Sequence, residues 1–192
     1  MKSILILFIA LISITASSQV VEICSSEIDD DDAVIGTYFK DINNTFTPFL
    51  GTWQSINGNE IITFKIEKIT HFYNTETQMY EDFLIGNYNY SQDGGTTNII
   101  HTINPFASLE TPTGNAMYSS CVLYPNAKFS MTFYDVLLDK GFGLITFEFL
   151  PGSTTQMQAT LANEQGAYGY FVGEPEPNFN FSIPTSFVVT KL

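Results

Sequence analysis

The sequence predicts an all-β domain, an antiparallel up-and-down barrel of about eight to ten strands with a short N-terminal helix, with a β-sandwich as the alternative. Three observations carry that prediction. From Phe49 onward, apolar and polar residues alternate with a period of two, as strands with one wet face require. Aromatic and β-branched residues dominate these segments, and Asn57-Gly58-Asn59, Asp93-Gly94-Gly95 and Pro151-Gly152-Ser153 punctuate them as turns. No amphipathic helix separates the strand candidates, which removes crossover α/β architectures.

The elements follow in chain order. Met1 and Lys2 give a positive start, Ile4 to Ile14 is apolar apart from Ser13, and Thr15-Ala16-Ser17-Ser18 ends the run. That is the length of a secretory core with small residues before a cut at Gln19, whereas a spanning helix needs roughly 20 apolar residues. Residues 1–18 are therefore read as a cleavable signal peptide, and the protein as secreted or periplasmic with no stable membrane anchor. Val21-Glu22-Ile23 lacks the small residues that precede a lipidated cysteine, so Cys24 is expected to carry no lipid.

Residues 19–32 form an acidic, extended and solvated lead-in. Their run Asp29 to Asp32 lacks the alternate spacing and glycine bend of a calcium loop. Residues 33–192 are read as a single barrel domain. Ala33 to Asn44 is expected to make one or two helical turns, with Asp32 as the N-cap and Val34, Tyr38 and Phe39 at helical spacing. Ile62, Phe64 and Ile66 alternate with Thr63, Lys65 and Glu67, and the Asn57-Gly58-Asn59 turn before them predicts a hairpin over 49–68. Further strands are expected over 79–91, 96–103, 117–124, 128–138, 143–150, 155–162, 166–172 and 186–191. Pro175, Pro177 and Pro184 keep 174–184 out of regular structure.

Charge restricts the partners. Seven lysines face 20 acidic residues, the formal net charge is −13, and the chain has no arginine. Nucleic acid needs a basic face that releases counterions from phosphate, so it is excluded as a partner. The same field disfavours anionic membranes, and without a guanidinium fork a strongly anionic ligand is disfavoured too. The two cysteines, Cys24 and Cys121, are either bridged, as export permits, or remain two free thiols.

Phe49-Leu50-Gly51-Thr52-Trp53 resembles the G-x-W opening of calycin barrels such as lipocalins. The resemblance implies an up-and-down barrel with a tryptophan closing one end, and an interior that takes a small apolar ligand. Lipocalins pack an arginine over that tryptophan; here Lys191 on the last strand is the available cation. Tyr38-Phe39-Lys40-Asp41-Ile42-Asn43-Asn44, Gly51-Thr52-Trp53, Tyr80-Glu81-Asp82 and the closing stretch Pro184 to Lys191 resemble an uncharacterised family of small secreted bacterial proteins. That family carries no known activity.

Catalytic signatures are sparse. His71 and His101 stand thirty residues apart, short of the three or four ligands of a zinc site, and no G-x-S-x-G elbow accompanies them. No metal and no cofactor are expected. Glycoside hydrolysis would need two carboxylates on facing strands, and Glu148, flanked by Phe147 and Phe149, is a candidate if it faces Glu81 or Asp135. Glu148 as the wet side of a one-sided strand is the plainer reading. Tyr88, Tyr90, Tyr168 and Tyr170 lie at strand period, either as a surface row for sugar or protein or as core. The leading expectation is non-enzymatic binding of a small neutral or apolar ligand in the barrel, with Trp53, Phe64, Ile66, Phe133 and Phe147 facing inward. The alternatives are a filled barrel acting through its acidic, tyrosine-rich surface on a protein or glycan partner, and a glycan-active enzyme. A cavity of about 300 Å³ or more would favour the first.

Overall fold

The computed structural model describes residues 19–23, 33–102, 117–119, 122–123, 128–164 and 178–192. Twelve strands appear among them: β1 (Val20–Glu22), β2 (Tyr38–Lys40), β3 (Gly51–Asn57), β4 (Glu60–Asn74), β5 (Met79–Ser91), β6 (Ile100–His101), β7 (Met117–Ser119), β8 (Val122–Leu123), β9 (Lys128–Asp135), β10 (Lys140–Phe149), β11 (Gln156–Asn163) and β12 (Ser186–Lys191). Eight of them, β3, β4, β5, β7, β9, β10, β11 and β12, pair in that order, each antiparallel to the next. β12 returns to β3 through Thr190↔Gln54 and Lys191↔Trp53 and closes the barrel. The strands run up and down, and the barrel excludes the sandwich.

The hairpin turns suit their sequences. Asn57 pairs with Glu60 across a two-residue loop in which Gly58 takes φ +61°, the left-handed conformation that opens a tight hairpin at no steric cost to glycine. The β9–β10 loop is Val136 to Asp139, because Asp135 pairs with Lys140 and its Oδ1 accepts from the Leu137 and Leu138 amides at 3.2 Å each. This is why β9 stops before the expected Leu138 and β10 starts before the expected Gly143. Of the strand expected over 96–103, Ile100–His101 forms β6 on β5, and the Ile99 and Thr102 amides donate to the Tyr90 and Tyr88 carbonyls; Ile103 lies outside the described residues. The strand expected over 166–172 lies outside the described residues, as do Cys24, Cys121, Pro175 and Pro177.

One expected element is replaced. Ala33–Asn44 makes no helix: Gly36 sits at φ +86° in a turn, and Tyr38–Lys40 forms β2, parallel to β1 on one side and to β5 on the other. Propensity at helical spacing gives way to main-chain pairing with two strands. The helical turn falls later, a 3-10 turn at Thr47–Phe49 with Pro48 at its start. The lead-in also differs from a wholly solvated segment, because Val21 and Ile23 are buried.

Inside the barrel the alternation is strict. Ile62, Phe64 and Ile66 of β4, Phe129, Met131 and Phe133 of β9, Ile145 and Phe147 of β10, and Met157, Ala159 and Leu161 of β11 all belong to one buried cluster with Trp53, Tyr88 and Val189. Eight strands enclose an interior just wide enough for side chains to fill or for one small ligand. Rings occupy this one. Phe49 meets Phe129 at 4.4 Å between centroids, Phe129 meets Phe147 at 5.2 Å, Phe147 meets Phe64 at 5.4 Å, Phe64 meets Tyr88 at 6.0 Å and Tyr88 meets Phe133 at 5.0 Å. That chain of contacts runs from the 3-10 turn at one end to the β9–β10 end at the other. A smaller cluster, Ile69, Phe83 and Ile85 with Phe72, packs on the outside.

Candidate functional site

Both barrel ends are closed by polar clasps. At the β9–β10 end, Asp135 is fully buried and its carboxylate accepts from the Ser182 amide and hydroxyl, each at 2.6 Å. Lys140 Nζ donates to the Asn180 carbonyl at 3.0 Å and stands 4.0 Å over the Phe181 ring. Residues 180–182 are thereby held across that mouth, with Phe181 against Phe133.

The opposite end holds the richest cluster of chemistry. Trp53 is fully buried, donates Nε1 to the Phe49 carbonyl at 2.7 Å, and carries Lys191 Nζ 5.1 Å from its ring. Close by, Lys68 and Asp82 occupy the last inward positions of β4 and β5. Lys68 Nζ lies 2.9 Å from Asp41 and 3.1 Å from Asp82, and the two carboxylates are 0% and 1% exposed. Asp41 further accepts from the Thr45 amide at 2.6 Å and the Thr45 hydroxyl at 2.8 Å. Asp82 accepts from the Tyr38 hydroxyl at 2.6 Å, the Asp41 amide at 3.1 Å and the His71 amide at 3.0 Å.

The electrostatics follow from those bonds. Burial works to raise both carboxyls, but the bonds from Lys68 and Thr45 to Asp41, and from Tyr38, His71, Asp41 and Lys68 to Asp82, outweigh it and hold both below the ordinary range. Burial works to lower Lys68, and its two carboxylate partners hold it above its ordinary value. Burial and the bond to Asp82 push the Tyr38 hydroxyl up. Two carboxylates kept ionised and a lysine kept protonated leave no acid ready to give up a proton near neutrality. The cluster is suited to holding residues 41–46 against the barrel.

Beyond this clasp, β4 and β5 run past the rim, and β2 and β1 add to them. The registers Ile69↔Phe83 and Phe72↔Glu81 place two β4 residues opposite one on β5, a bulge in which His71 adopts φ +57°. The bulge shifts the parity of β4 by one. Tyr73, rather than Phe72, therefore shares a face with Lys68, while Phe72 turns to the outer cluster. In register across the extension stand Val20, Tyr38, Tyr80 and Tyr73. His71 stacks on Tyr80 at 4.2 Å and meets Tyr38 edge-on at 4.6 Å, and Tyr73 meets Tyr80 at 5.0 Å.

The residues singled out from sequence fall as follows. Trp53, Phe64, Ile66, Phe133 and Phe147 all face the interior, at most 1% exposed. Tyr88 and Tyr90 are buried core rather than a surface row, whereas Tyr168 and Tyr170 lie outside the described residues. Glu148 is exposed, with Lys128 and Gln158 as its register neighbours; Asp135 is at the opposite end of the barrel and Glu81 is not across from it. His101 pairs with Asn89 away from His71, and among the described residues no three histidine, cysteine or acidic side chains gather as a metal site. An open depression of about 370 Å³ lies where β3 begins beside β4, lined by Leu50 to Thr52 and Lys65 to Lys68.

Sequence reasoning missed the Lys68 clasp and the aromatic row. The signal was there: Tyr38 to Asn44 and Tyr80-Glu81-Asp82, which carry the family resemblance, meet through Asp41, Asp82 and Tyr38. A family model matches residues 1–192 in full. The chain belongs to the DUF6705 family, a family of unknown function. No curated protein and no solved structure matches the chain. In this DUF6705 chain the Tyr38–Asn44 and Tyr80–Asp82 stretches meet at the clasp, where Lys68 bridges Asp41 and Asp82.

Proposed function

We propose that this chain is an exported, non-enzymatic interaction protein whose barrel is a filled scaffold and whose working parts lie on its surface. The observation that carries this reading is the unbroken chain of ring contacts through the barrel interior, from Phe49 to Phe133. A small-ligand carrier needs free volume of about 300 Å³ there. The covered mouth at Phe181 and Ser182 supports the same reading. The barrel is compatible with a calycin-like architecture, with its meander of eight strands, a 3-10 turn before Gly51-Thr52-Trp53 and a lysine from the last strand over the tryptophan, but with its interior filled. An enzyme working by paired carboxylates is not supported, since Glu148 is exposed beside Lys128 and Gln158, and Asp41 and Asp82 are both paired with Lys68.

Native mass spectrometry of the protein purified from its own host tests the proposal. The expected result is the mass of the polypeptide alone. A small molecule retained through gentle desolvation and displaced by Phe147→Trp would overturn it.

A further inference from the structure

Among the described residues, the row on the β1-β2-β5-β4 extension is the most distinctive surface feature. It continues the inner face of the barrel past its sealed end, so that side chains which elsewhere would be core meet solvent. Val20 is 52% and Tyr73 44% exposed, and His71 is exposed beside them. Four strands at about 4.8 Å spacing make the row about 14 Å long. The rings are held in place: the Tyr38 hydroxyl is anchored on Asp82, His71 is set on Tyr80 by the bulge, and the His71 amide is bound to the same Asp82. Val34 and Ile35, 66% and 72% exposed, stand in the turn before β2, whose Gly36 amide bonds to the Gln78 carbonyl at the hairpin tip. β1 is the outermost strand of the sheet path among the described residues.

Fixed, half-exposed aromatic rings with an apolar border describe a docking face. Charge selects what docks. A chain with net charge −13 and no arginine repels acidic partners and attracts basic ones, and tyrosine faces bind ammonium and guanidinium groups through their quadrupole. We infer that this row docks a lysine- or arginine-bearing segment of a partner protein, with cationic side chains over Tyr73 and its neighbours. The inference rests on the reading of the chain as an interaction protein and names the site and chemistry of that interaction.

Titration of the full mature chain with short oligo-arginine and oligo-lysine peptides, a Gly-Ser peptide and neutral β-linked oligosaccharides tests it, by calorimetry and by amide chemical shifts at physiological salt. The basic peptides are expected to bind and to shift Val20, Tyr38, His71, Tyr73 and Tyr80. Tyr73→Ala is expected to weaken binding by roughly tenfold, Tyr73→Phe to retain it, and Glu148→Gln on the barrel wall to leave it unchanged. Thermal melting establishes that each variant is folded. Equal binding by Tyr73→Ala would reduce the attraction to bulk charge and overturn the inference. Oligosaccharide binding at the row without peptide binding would overturn the partner chemistry while leaving the interaction reading intact. Failure of every probe to shift the row would overturn the site.

Discussion

Lys191 holds its ammonium 5.1 Å from the centre of the Trp53 ring and donates to the Pro48 carbonyl at 3.3 Å, so the last strand seals the first. The two residues are register partners across the strand pair that closes the barrel. Replacing Lys191 by alanine removes the cation and its covering stem together, and is expected to lower stability by about 1 kcal/mol in urea titrations. Lys191→Arg is expected to keep most of it. Equal melting of wild type and Lys191→Ala would show that the contact contributes nothing.

The Lys68 clasp predicts a pH window. Asp41 and Asp82 lie below their ordinary values, so their contribution is complete above about pH 4, the unfolded carboxyl range, and is lost as pH falls through the folded values. Lys68 and Tyr38 lie above theirs, so their contribution is complete below about pH 10 and is lost as pH rises further. A stability plateau between those limits is expected. Lys68→Met strands two buried carboxylates and is expected to cost about 3 to 5 kcal/mol at pH 7, with part of the loss recovered at acid pH as the carboxyls protonate. Denaturant unfolding across pH for both proteins reads this directly.

The ring stack makes the core intolerant of truncation. Phe147 touches Phe64 and Phe129 and is fully buried, so Phe147→Ala is expected to cost about 3 to 5 kcal/mol. Ile56→Ala, at a side chain 65% exposed on β3, is expected to change stability by no more than about 0.5 kcal/mol. Comparable losses at the two sites would contradict the assigned faces.

Two glycines on the barrel wall separate hard from soft neighbours. A Cβ at Gly143 would sit 2.8 Å from the Phe133 carbonyl oxygen and 3.1 Å from the Phe181 ring. A Cβ at Gly86 would meet chiefly the terminal methyl of Met117, at 2.5 Å, which can swing aside. Gly143→Ala is therefore expected to cost about 1 to 3 kcal/mol, and Gly86→Ala less. The reverse order in thermal melts would show that the β9–β10 backbone yields more readily than the methionine.

The barrel was legible because its signal is local. Ile62, Phe64 and Ile66, or Phe129, Met131 and Phe133, declare their faces within five residues, and side-chain period alone assigns them to the interior. The β2 strand was not, since Tyr38–Lys40 is a strand only by virtue of β1 and β5 on its flanks, and a three-residue stretch carries no period of its own. The clasp was hidden for the same reason: Asp41, Lys68 and Asp82 are ordinary charges in sequence, and pairing across three segments makes them partners. The bulge at His71 left a faint trace: Ile69 and Phe72 stand an odd three residues apart, yet both belong to the outer cluster. Reading that odd spacing would have moved Tyr73 to the exposed row and Phe72 away from it.

Closure of the ring by its first and last strands sets an order of events for the chain. Until Ser186–Lys191 has been made and delivered, β3 and β11 each present an open hydrogen-bonding edge, and the Trp53 end has no lysine to cover it. The barrel therefore remains an open sheet until that strand pairs with β3 and β11. The final six-residue strand is what turns a pliable chain into a sealed body.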